Sequence, residues 1–267
     1  DVLTLLGGGT TAVSRVETML GSTGTDIARL LGSGDTAISQ VETVLGSAGS
    51  DGVTLLASGT LAISAVESVV GTSSATATDI LRLIGGGTSV AASAVASVIG
   101  SGGTDTLTLI GGGGAMTITG IETLVGSEST DTITLSGAGT TAISAVESLL
   151  GSSGTDIARL LGGGDLSVSQ VETVLGGTGV ESVTMLSEGT LTVSAVESVI
   201  GTASGATADV LRLVGATGVS VSAVESVLGS TGADAVTLLA ATGLSVSNVE
   251  TVTGSAGVDA ISMLGGG

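Results

Sequence analysis

The sequence predicts an all-β fold, a right-handed parallel β-solenoid of about 25 residues per rung and about 10–11 rungs. Three observations predict it. A unit of about 25 residues recurs from end to end, and an internal period of that size marks a stacked repeat before any local assignment is made. Within the unit, apolar residues alternate with Thr or Ser at period two, the spacing of a strand with one face inward. The chain contains no Trp, Tyr, Phe, Pro, Cys or His. Without large aromatics the core must be narrow, filled with small and branched aliphatics many times over.

The units open at Asp1, Asp26, Asp51, Asp79, Asp105, Asp131, Asp156, Glu181, Asp209, Asp234 and Asp259. Two are lengthened by small polar inserts, TSSATAT at 72–78 and TASGATA at 202–208, which are expected as surface loops. A second order of repetition lies above the first. DIARLLG at 26–32 returns at 156–162, and DILRLIG at 79–85 returns as DVLRLVG at 209–215. The chain therefore reads as one continuous solenoid over 1–267. A five-rung block is duplicated in it, 1–130 and 131–258, with 259–267 starting a further rung. It opens on the first residue of a unit and stops inside one, as expected of an excerpt of a longer protein or of a unit whose ends stack on neighbours.

Each unit begins with a strand such as Val53-Thr54-Leu55, in which apolar residues flank a Thr. Its fifth position is always Leu or Met, so Leu55, Leu83 and Leu109 are expected to stack directly in an inward column. A glycine turn follows, then a second alternating run such as Thr190-Leu191-Thr192-Val193-Ser194. The segment V-E-[ST] closes the unit and ends on a glycine from Gly21 to Gly254, expected at corners needing positive φ. These runs are too short and too rich in Gly, Ser and Thr for helices. One rung cannot bury its apolar face alone, whereas stacked rungs share a core. The hand follows the usual crossover preference.

Charge bounds the function. The net charge of −19 sets the chain against nucleic acid and anionic membrane surfaces, and no apolar run is long enough to span a bilayer. Two acids recur: the opening Asp and the Glu of V-E, broken only at Ala96. Direct stacking would put like charges about 4.8 Å apart, costing on the order of 1 kcal/mol per contact in water. Bound cations, turn N–H groups or splaying into water would offset that cost. For the Asp row two readings stand: calcium, which takes carboxylates and carbonyls in flexible shells, and capping of the glycine turn through its N–H groups. The Glu row reads as a corner residue bonded to backbone or water.

The runs G151-S152-S153-G154-T155-D156-I157 and G229-S230-T231-G232-A233-D234-A235 carry a resemblance. They resemble one half-turn of the hemolysin-type (RTX) repeat, G-G-x-G-x-D-x-U-x, of large bacterial surface proteins such as adhesins and S-layer proteins. That family folds as a parallel β-roll with calcium between stacked turns. The resemblance implies calcium at Asp26, Asp51, Asp105, Asp131, Asp156, Asp209 and Asp234. Asp209, like Asp79, follows a long insert and lacks the usual turn. The chain departs from the family in having one such turn per unit, with Gly-Ser in place of Gly-Gly.

Arg29, Arg82, Arg159 and Arg212 share the fourth position of their units, where the others have Thr or Ser. That position faces outward, so these residues are read as a periodic interface between neighbouring rods. Asp35 and Asp165 add an acid on two of the same units. A row of equivalent Asp gives no pair of carboxyls in differing environments, as acid and base roles require. With no His, Cys or Lys either, no enzyme is expected. The expected function is a structural segment of an extracellular bacterial fibre, stalk or surface layer. It would be stabilised by calcium and associated with copies of itself, end to end or side by side. The alternative is an adhesin module gripping glycan with its outward face.

Overall fold

The computed structural model describes residues 1–72, 78–203, 208–215, 217–240 and 242–264. The middles of the two inserts, 73–77 and 204–207, lie outside the described residues, so their expected place as surface loops is not addressed. Among the described residues every regular element is a β-strand and every strand pairing is parallel. The fold is the expected all-β parallel solenoid. It forms two compact units, Asp1–Ser136 and Gly137–Gly267.

Each sequence repeat supplies three strands: an opening strand such as Asp26–Leu30, a middle strand such as Gly34–Ser39, and a short closing strand such as Thr43–Leu45. In both units the strands fall alternately into two sheets, and each strand pairs with the next but one. A turn of the solenoid therefore holds two strands, and a repeat makes one and a half turns. Ile27 pairs with Thr43, 16 residues on, and Thr43 with Ala62, 19 residues on. The expected 25-residue rung is thereby corrected: the structural turn is shorter than the repeat and out of phase with it.

The shorter turn places every column differently from a 25-residue rung. Opening strands of successive repeats lie on opposite sheets, so Leu55, Leu83 and Leu109 do not stack directly. All three still point inward and are buried. The columns instead mix strand types. Ala28, Val44, Ile63 and Leu83 pair in succession on one sheet of the first unit, each at most 3% exposed. An Ala or Val meets a larger Ile or Leu one turn away, which lets a core without aromatics fill evenly. Acids of one kind recur on one sheet only every third turn, roughly 14 Å apart at strand spacing. The Asp-over-Asp and Glu-over-Glu stacking expected at about 4.8 Å is not what the fold builds; an opening Asp has a V-E Glu, not another Asp, on the adjacent turn.

Candidate functional site

The recurring polar chemistry lies at the corners where a G-S-x-G loop enters an opening strand. Asp26 begins its strand with an inward side chain and is fully buried. Its Oδ2 accepts the backbone N–H of Ser22 at 2.5 Å and the Ser22 hydroxyl at 3.0 Å. The Ser22 hydroxyl oxygen accepts the N–H of Gly24 at 3.2 Å. The loop is thus folded around one carboxylate oxygen. The same arrangement recurs with Ser47 on Asp51, Ser101 on Asp105, Ser127 on Asp131, Ser152 on Asp156 and Ser230 on Asp234. Asp79 and Asp209, whose turns looked irregular in sequence, receive the same cap from Thr72 and Thr202 seven residues back. The two corners that follow the inserts are thus capped in the common way, by Thr in place of Ser.

The Glu of V-E completes the corner from one turn further on. The Asp26 N–H donates to Glu42 Oε2 at 2.7 Å, while the Glu42 N–H donates to the Asp26 carbonyl at 3.2 Å. Glu67, Glu122, Glu172, Glu197, Glu225 and Glu250 accept the corresponding N–H in the same way. Acid lies over acid, but each carboxylate is matched to backbone donors, which supplies the offset that the charge count demands.

The second oxygen of the capping acid divides the corners into two kinds. At Asp79, Asp105, Asp209 and Asp234, Oδ1 accepts an N–H from Gly59, Thr88, Gly189 or Thr217 of the adjacent glycine loop. At Asp26, Asp51, Asp156 and Glu181 one oxygen is buried without a hydrogen-bond partner among the described residues. The strand register explains the split. In these four corners the opening strand starts on the acid itself, and the loop N–H of Gly9, Gly34, Gly139 or Gly164 goes to the backbone carbonyl before the acid.

Glu181 departs furthest. The loop serine is replaced by Gly177, and the longer side chain takes the N–H of Gly179 on Oε1 at 3.1 Å. Burial, and then the neighbouring carboxyl of Glu197, raise its pKa above the ordinary glutamate value, against the lowering pull of the Gly177 and Gly179 N–H groups.

This donor set does not fit a calcium row. Calcium takes six to eight oxygens, yet Oδ2 of each capping Asp is already engaged by its own loop. Each unpartnered oxygen stands singly, and among the described residues no three acidic side chains converge. The structure thus places the seven Asp expected from the resemblance at separate capped corners and does not bring them together.

Two features of the corner escaped the sequence. The residue between Ser and Val of the S-x-V-E segment adopts the left-handed conformation, φ 52–56°, at Arg15, Gln40, Ala65, Ala94, Ala145, Gln170, Ala195, Ala223 and Asn248. The glycine that ends V-E-[ST]-x-x-G, expected at positive φ, is not there for that reason. A Cβ on Gly21, Gly46, Gly151 or Gly176 would lie 1.5–1.8 Å from the carbonyl oxygen of a left-handed residue one turn away. Close approach of backbone to backbone is what demands glycine.

Each unit also carries a groove of about 340 Å³ beside one of these corners. In the first it is lined by Ser22, Gln40, Glu42, Ser58 and Thr60, and in the second by Ser152, Gln170, Glu172, Glu188 and Thr190. The two sets match position for position, 130 residues apart. Among known proteins, the chain matches no family model, no curated protein and no solved structure.

Proposed function

We propose that the chain is a structural segment of an extracellular bacterial fibre, stalk or surface layer, and that it associates with copies of itself. The observation that carries this reading is the use made of the recurring acids. They close the loops and tie consecutive turns together, so the ionisable chemistry is committed to the backbone and not gathered for turnover. A repeated, self-bracing scaffold of this kind suits bearing load or setting distance. The bacterial surface setting rests on the resemblance of the G-S-x-G-x-D turns to hemolysin-type repeats. Calcium, which that resemblance also implies, is left out of the proposal because the donor set does not fit it. The Arg29, Arg82, Arg159 and Arg212 positions are proposed as contact residues between copies. Electron micrographs of the purified chain over a concentration series test the reading. Ordered filaments or sheets are expected, and a monodisperse species at every concentration would refute it.

The paired grooves favour a second reading, an adhesin module for glycan. Hydroxyl, amide and carboxylate groups suit a polyhydroxylated ligand, and Gln40 and Gln170 appear at these two corners alone. Glycan-array binding that is lost with Gln40→Ala and Gln170→Ala would support it.

A further inference from the structure

The three-strand repeat sorts the outward side chains of each unit into two unlike faces. In the first unit Arg29 and Arg82 come from opening strands two repeats apart, so both stand on the same sheet. No outward position in the strands of that sheet carries an acid. The opposite sheet carries one outward strand acid, Asp35. The second unit repeats the pattern: Arg159 and Arg212 share one sheet whose outward strand positions hold no acid, and Asp165 stands on the other.

The arginines are exposed, and no ion pair involves them among the described residues. Each has a branched aliphatic on one side of the ladder; on the other side three have an Ala, and Arg212, paired with Leu228, has Thr192. Arg29 lies between Ala12 and Leu45, and Arg82 between Ala62 and Ile99. Arg159 lies between Ala142 and Leu175. The stem can rest on the aliphatic while the guanidinium stands clear of the sheet. In a chain of net charge −19 with five cations, four of them on sheet faces free of strand acids make local cationic fields on an acidic molecule.

We infer that the Arg-bearing sheet of a unit docks on the Asp-bearing sheet of a unit in a second copy of this chain, with Asp35 and Asp165 as the acids met. This rests on the self-association reading and names the faces that make it. The partner face is otherwise short hydroxyl and apolar side chains, such as Ala37, Ser39 and Ser68, which allow two sheets to approach to about 10 Å. Docking one face on a different face is heterologous, so addition continues and does not stop at a pair. Charge drives the encounter, so association weakens as salt shortens the reach of these exposed groups.

Sedimentation of the full chain across a NaCl series tests the inference, with circular dichroism as the check on folding. The natural chain should associate, and Arg29→Glu, Arg82→Glu, Arg159→Glu and Arg212→Glu together should raise the dissociation constant at least tenfold. Asp35→Arg with Asp165→Arg should do the same. The chain carrying all six changes should regain association although it is still more acidic than the natural one. Arginine variants that associate as well as the natural chain would overturn the face assignment while leaving the self-association reading intact. Loss on changing the arginines with none on changing the two Asp would overturn the partner face. A natural chain that never associates, or whose Arg face captures only an added acidic polysaccharide, would overturn both.

Discussion

Gly46→Ala is the sharpest perturbation of the corner. The added Cβ would lie 1.5 Å from the Ala65 carbonyl oxygen and 2.5 Å from its carbon. Non-bonded heavy atoms settle at roughly 3.5 Å, so the two turns must part by about 2 Å where the ladder spacing is about 4.8 Å. That separation breaks the 2.8 Å bond from Gly46 N–H to the Ser64 carbonyl. The same Cβ comes 3.0 Å from Asp51 Oδ2, which disturbs the two Ser47 bonds at 2.6 and 2.9 Å. Three bonds at about 1 kcal/mol each, with further cost for leaving a buried carboxylate under-satisfied, total about 4–6 kcal/mol. Gly32→Ala is the matched control, because nothing lies within 4 Å of its added Cβ and its φ is ordinary. It should be neutral, or stabilising by up to about 1 kcal/mol. Urea unfolding measures both, and hydrogen exchange near residues 46 and 65 shows whether the rupture is local, as stacked repeats allow. Equal stabilities for the two variants would refute the close-approach argument.

Ala65→Gly relieves a left-handed alanine at φ 52° and should raise stability by about 0.5 kcal/mol after the entropy of the freer unfolded chain is counted, as read by urea midpoint. Asp51→Asn keeps the shape of the cap but loses its charge assistance, and should cost about 1–2 kcal/mol in the same assay. Chelation with EDTA should leave the melting temperature of the natural chain unchanged, and a calcium-dependent rise of several degrees would return calcium to these carboxylates. Because the pKa of Glu181 is raised in the fold, its favourable contribution is present in acid and is lost as pH climbs through the folded value. Glu181→Gln should therefore melt higher than the natural chain at pH 7. The gap should close as pH falls toward 4.5, the ordinary glutamate value, and a lower melting point at pH 7 would contradict the burial argument.

The stacked parallel architecture was legible because period two and a short repeat each constrain the chain strongly. The inward Leu and Val positions followed from the same pattern. The phase between repeat and turn was not legible, since alternation says which side chains point inward but not how many corners a repeat contains. The Asp cap was one of two readings, and only the Ser22 and Ser47 bonds decide how those carboxylates are used. The left-handed corner carried little signal. Positive φ is ordinarily sought at Gly or Asn, whereas here it falls on Ala, Gln or Arg at all but two corners, with Gly120 and Asn248 the conventional occupants. The glycine one turn away drew attention for the wrong reason, because its conformation is ordinary and its neighbour is what constrains it.

A repeat that advances the coil by a half-integer number of turns gives the chain a parity. Deleting one repeat inside a unit would transpose every later strand to the other sheet, carrying arginine to the acidic side while leaving the core sequence intact. Deleting two would restore the original sides. Insertions and deletions that keep surface identity must therefore come in pairs, and a molecule shortened by a single repeat should fold well and yet present its decoration inside out of order.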